Sequence, residues 1–144
     1  MTNNKFVFKL SDVPFLESAD GSLHDSFMIT DETCGAQQIT AGIVFIRPHS
    51  QCHEDTHEVE EIFYVIQGRG KLTYDGKPVE VEAGDVAFMP AGVAHRVIND
   101  YDETYVALWA ILQKWGDQHE LRREVNKWHK VELGSGWSQW PFLK

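Results

Sequence analysis

Five side chains, set in two separated groups, have the types needed to hold a metal ion and to work beside it. The first group runs Pro48-His49-Ser50-Gln51-Cys52-His53-Glu54-Asp55-Thr56-His57-Glu58-Val59-Glu60-Glu61 and leads straight into the apolar segment Ile62-Phe63-Tyr64-Val65-Ile66-Gln67-Gly68. The second runs Gly84-Asp85-Val86-Ala87-Phe88-Met89-Pro90-Ala91-Gly92-Val93-Ala94-His95-Arg96-Val97-Ile98-Asn99. His57, Glu61 and His95 can converge on one ion, with Asp55 or His53 as a fourth ligand. Two imidazoles and a carboxylate suit a divalent first-row transition metal such as Fe(II), Mn(II), Ni(II) or Zn(II). Coordination positions left to water or substrate would let the ion do chemistry.

Such a site needs strands to aim the side chains inward. Alternate residues of a strand share a face, and His53, Asp55, His57 and Glu61 share odd parity with Phe63 and Val65. An extended segment therefore points this polar set toward the same apolar interior, while Ile62, Tyr64 and Ile66 face the other way. His95, Val97 and Asn99 share a face in the second group. Glu58 and Glu60 have the opposite parity and belong in solvent, as does Arg96. Burying two imidazoles and a carboxylate without a partner is costly, and a metal offsets that cost. The parity does not establish that the two segments are neighbours.

The rest of the chain reads as short strands cut by turn residues, over 6–9, 26–30, 38–47, 62–67, 70–74, 78–81, 85–89, His95–Asn99 and 104–112. They are rich in Val, Ile, Phe and Tyr and bounded by Gly, Pro and Asp. Tyr74-Asp75-Gly76-Lys77 predicts a hairpin, because Asp-Gly supplies the positive φ values of a type I′ turn. Many short strands at close spacing predict an all-β protein, an antiparallel barrel of jelly-roll type. One short helix is predicted over 117–127, where Leu121 and Val125 stand four apart amid charges. An aromatic tail with Trp128, Trp137, Trp140 and Phe142 follows, expected to pack on the barrel or on a partner subunit.

With 144 residues the chain predicts one domain, residues 1–144, with a barrel core over about 36–112 and the helix and tail over 113–144. The net charge of −9, from 13 basic and 22 acidic residues, argues against a nucleic-acid partner and against anionic membrane surfaces. Cys34 and Cys52 do not make a disulfide scaffold and read as reduced thiols, Cys52 as a buried, inert one. No apolar stretch is long enough to span a bilayer and no signal peptide is visible, so the expected location is the cytoplasm.

The second group matches the pattern G-x5-P-x-G-x2-H-x3-N at Gly84, Pro90, Gly92, His95 and Asn99. The first fits the latter half of G-x5-H-x-H-x(3,4)-E-x6-G at His57, Glu61 and Gly68. Over roughly residues 42–112 the chain thereby resembles the cupin superfamily. The resemblance implies a small β-barrel with a divalent metal near its centre, usually held by three His and one Glu, and pairing into homodimers. Two positions depart from the pattern. Asp55 stands where a histidine is expected, and His49 where a glycine is expected. Three arrangements fit: Asp55 as an oxygen ligand, His53 in its place, or a three-ligand site similar to the 2-His-1-carboxylate triad.

The function expected is that of a metal-dependent enzyme on a small polar, oxygenated substrate. With iron it would run oxygenation, and with a redox-silent metal isomerase, lyase or decarboxylase chemistry. An uncoordinated Asp55 or His53 would be the general base. The alternatives are a cupin that binds or senses a small molecule without turnover, and a barrel whose site has lapsed. Arg47 and Arg96 are candidate anion clamps and Trp109 a candidate pocket wall.

Overall fold

A computed structural model of the chain describes residues 5–132. In chain order its elements are β1 (Phe15–Glu17), β2 (Leu23–Ile29), α1 (Asp31–Cys34), β3 (Thr40–Ile46), β4 (Ser50–Gln51), β5 (Glu61–Gln67), β6 (Arg69–Tyr74), β7 (Lys77–Glu82), β8 (Val86–Met89), β9 (His95–Asn99), β10 (Tyr105–Ile111), α2 (His119–Val125) and β11 (His129–Val131). The strands form two antiparallel sheets, ordered β11-β1-β2-β3-β10-β5-β8 and β4-β9-β6-β7. This is the antiparallel jelly roll that the strand pattern predicts.

Alternation builds the core between the sheets. β5 buries Glu61, Phe63 and Val65 and exposes Ile62 and Tyr64, and β9 buries His95, Val97 and Asn99. Val44, Val65, Ala107 and Trp109 of the large sheet pack with Leu72, Val81 and Val97 of the small one. A second cluster, Leu10, Phe15, Phe45 and Val106, lies apart from that core. The β6–β7 hairpin turns at Asp75 (φ 49°) and Gly76 (φ 82°), both in the left-handed region as a type I′ turn requires.

Several elements differ from the sequence reading. Residues 6–9 pair with no strand, and Phe6 and Val7 are exposed there. A 3-10 turn at Leu10–Asp12 follows, so the apolar run ends before it can reach a ladder. β1, β4 and β11 have two or three residues each, too short for alternation to show. The helix spans His119–Val125, preceded by a 3-10 turn at Trp115–Asp117. The large sheet takes β1, β2 and β11 from outside residues 36–112. Trp137, Trp140 and Phe142 lie outside the described residues. Among the described residues no helix is long and apolar enough to cross a membrane.

Candidate metal centre and its cavity

Three different parts of the chain deliver the three ligands. Glu61 opens β5 in the large sheet, His95 opens β9 in the small sheet, and His57 sits on the segment between β4 and β5. Backbone bonds join the two sequence groups. Asp55 N–H donates to His95 O and His95 N–H to Asp55 O, both at 2.9 Å, and Gly92 N–H donates to His57 O at 2.8 Å. The adjacency that parity alone left open is therefore built by the main chain.

The side chains meet on one oxygen. His57 Nε2 lies 3.0 Å and His95 Nε2 3.2 Å from Glu61 Oε1, with the two rings 4.8 Å apart at 70°. All three ligand atoms fall within 4.8 Å of one another. Each ring is oriented by its other nitrogen: His57 Nδ1–H donates to Val59 O at 2.7 Å and His95 Nδ1–H to Val93 O at 3.2 Å. With those protons committed, both Nε2 lone pairs face a carboxylate oxygen, so three electron-pair donors point at one place. Protons on both Nε2 atoms would make two imidazolium ions on one carboxylate, in a site where Glu61 and His95 are 9% and 5% exposed. A divalent cation satisfies all three at once, and carbonyl-anchored histidines are the usual way a protein orients metal ligands. The donor set fits a first-row transition ion. Without an ion, the hydrogen bond that Glu61 Oε1 accepts from His57 Nε2–H holds the His57 imidazole above its ordinary range.

Asp55 and His53 stand apart from this group. The Asp55 carboxylate pairs with His53 Nε2 at 3.2 Å, both half-exposed, and this contact raises the His53 pKa. Both residues line the same cavity as His57 and Glu61. His49 carries φ 56°, the left-handed backbone that favours glycine, and its Nε2 meets Asp102 Oδ1 at 2.7 Å. Arg47 Nε donates to Gly21 O, and neither Arg47 nor Arg96 lines the cavity. Cys52 faces the interior, where burial pushes its thiol up to about 11, so it is inert at neutral pH. The motif residue Asn99, fully buried, donates to Ile46 O, Arg47 O and Glu103 O and ties loops together.

The cavity measures about 550 Å³, and its apolar walls include Phe63, Val97 and Trp109. It holds one residue that the sequence reading missed. Asp25 on β2 lies fully enclosed there and accepts from Trp109 Nε1–H at 3.0 and 3.1 Å. Burial holds its carboxyl well above the usual carboxylate range. Asp25 has the parity of Leu23 and Phe27, which also line the cavity. That parity was a signal, but the expected strand began one residue too late to include it.

A model of the family described as "Cupin domain" matches residues 42–111. The chain is 28% identical over 134 residues to the oxalate decarboxylase of Bacillus subtilis, covering 85% of this chain and 32% of that protein. It is 40% identical over 53 residues to an oxalate-binding protein of Thermotoga maritima, covering 36% of this chain and 44% of that protein. The chain thus spans less than half the length of either relative. A crystal structure of a predicted oxalate decarboxylase from Thermotoga maritima superposes with a TM-score of 0.67 at 23% identity, covering 75% of this chain and 99% of that one, a likeness of fold.

Proposed function

The chain belongs to the cupin superfamily, and from that premise we propose that it is a metal-dependent enzyme acting on a small oxygenated organic substrate. The observation that carries this reading is the meeting of His57 Nε2, His95 Nε2 and Glu61 Oε1 at one point beside a cavity. Bound there, Fe(II), Mn(II), Ni(II) or Zn(II) would supply a Lewis acid for a substrate oxygen or, as iron, oxygenase chemistry. The chain's own residues do the rest. The Val59 and Val93 carbonyls keep both Nδ1 protons in place, so the Nε2 atoms stay available. His53 Nε2 and Asp55 Oδ1 share a proton at the cavity rim, where the pair would act as general base or acid. The names of the two curated relatives support a carboxylate-bearing substrate and decarboxylase-type chemistry.

A second reading, binding or sensing without turnover, is favoured by the relative named for oxalate binding. We propose further that two copies of the chain pair as a homodimer in the cytoplasm.

Metal content tests the central reading. Protein purified without a polyhistidine tag should carry or take up close to one equivalent of metal by plasma mass spectrometry. His57→Ala and His95→Ala should each lose most of it while keeping a native circular dichroism spectrum. Full metal in both variants would sink the assignment. Turnover of any compound in a substrate panel, lost in Glu61→Ala, decides for the enzyme over the binding module.

A further inference from the structure

The cavity is built for more than a two-carbon diacid. Its volume of about 550 Å³ lies in the range of sites for ligands of drug size, about 300–1,000 Å³. Leu23, Phe27, Val44, Phe63, Trp109 and Ile111 make most of its wall apolar. Its charge is wrong for a dianion. Arg123 is the only Lys or Arg among the described lining residues, whereas Asp55, Glu58, Glu61, Asp117 and Glu120 are all acidic. Sites for carboxylate pairs ordinarily supply guanidinium forks.

Two polar groups on this wall are poised for a ligand. Asp25 is enclosed with no cation beside it, and burial favours its protonated form. Trp109 only donates to it, so the acid's O–H is left over from that contact. Trp128, which also lines the cavity, has a buried indole N–H with no acceptor among the described residues. A buried donor without an acceptor costs free energy that a ligand oxygen can recover.

We propose that the cavity takes a neutral or singly charged amphiphilic molecule, with its apolar body against Phe63 and Trp109, an oxygen toward His57, Glu61 and His95, and a hydrogen-bond acceptor on Asp25. Only the placement of the first oxygen rests on the metal-centre reading. The apolar body and the Asp25 contact stand without it.

The Trp109 indole N–H, bonded to Asp25, is a built-in reporter. Its resonance can be followed by ¹⁵N NMR and assigned with Trp109→Phe. We would titrate 4-hydroxyacetophenone and, separately, oxalate into the chelator-treated protein and into the same protein after zinc loading. The expected result is a saturable shift of the Trp109 signal with 4-hydroxyacetophenone in both forms, and a much weaker response to oxalate. Asp25→Ala should bind the aromatic ketone about tenfold more weakly, and Asp25→Asn, which keeps a donor, should recover most of that. No shift with the ketone in either form, or tighter binding of oxalate, overturns the proposal whether or not Asp25→Ala folds. A protein that binds the ketone but takes up no zinc upholds the cavity assignment and removes the metal centre. One that takes up zinc and answers only to oxalate does the reverse.

Discussion

A carboxyl enclosed as Asp25 is, with an indole N–H as its side-chain partner, couples the stability of the barrel to pH. In the unfolded chain it titrates near its ordinary value of 3.8, and in the folded chain burial raises it well above that. Below 3.8 both states hold the proton and the fold bears no penalty. As pH rises through the raised folded value, the unfolded chain has already released its proton, so this residue's contribution falls and is lost. An amide has no proton to release and still accepts from Trp109. Asp25→Asn should therefore melt higher than the wild type at neutral pH, with the difference closing near pH 4, as calorimetry across that range would read. Parallel profiles for the two proteins would contradict the assignment. A residue that costs stability at neutral pH and is nonetheless enclosed in the cavity fits a functional role. The parity that Asp25 shares with Leu23 and Phe27 marks its face but not its role, because the indole that encloses it stands 84 residues away. His57, Glu61 and His95 were legible because their spacing carries chemistry by itself. Asp55 was legible as a candidate, but its side chain turns to His53, a choice made by rotamers and not by spacing.

At the level of elements, alternation was the readable signal and pairing was not. The parity of 61–65 and 95–99 matches the burial of β5 and β9 residue for residue, since a strand has only two faces. β1, β4 and β11 were not readable, because two or three residues show no period, and β4 and β11 pair with strands far along the chain. The same long-range pairing explains Gly42, in the middle of β3 between β2 and β10. A Cβ there would collide with Ser26 O and stand 2.9 Å from the Trp109 ring. The missing side chain lets the indole lie across β3 and reach Asp25. Gly42→Ala should cost roughly 1–3 kcal/mol, the usual range for overpacking a core, and should displace the Trp109 indole resonance. A urea midpoint unchanged from wild type would show that the strand yields freely, contrary to this account.

For the whole molecule, the same β5 strand that turns Glu61 inward turns Ile62 and Tyr64 outward, at 40% and 44% exposure. β8 adds Val86 and Phe88 at 66% and 49%, and the register sets Ile62 opposite Phe88 and Tyr64 opposite Val86. Cross-strand pairing thus makes one continuous apolar patch on the outside of the large sheet, at the edge formed by β8. Scattered apolar residues on a surface need no explanation, whereas a contiguous group of four supports the proposed pairing of two copies. A second copy of the chain presents the same patch, and a two-fold axis through it would cover both at once. Because the patch and Glu61 lie on opposite faces of β5, pairing and the candidate metal centre can be separated by mutation. Ile62→Glu combined with Phe88→Glu should turn a dimer at micromolar concentration into a monomer in light scattering, with metal content held at the wild-type level. A wild type that is monomeric under those conditions would refute the pairing. Loss of metal in the folded, monomeric variant would mean instead that the partner subunit helps to hold β5 in place, making the site dependent on assembly.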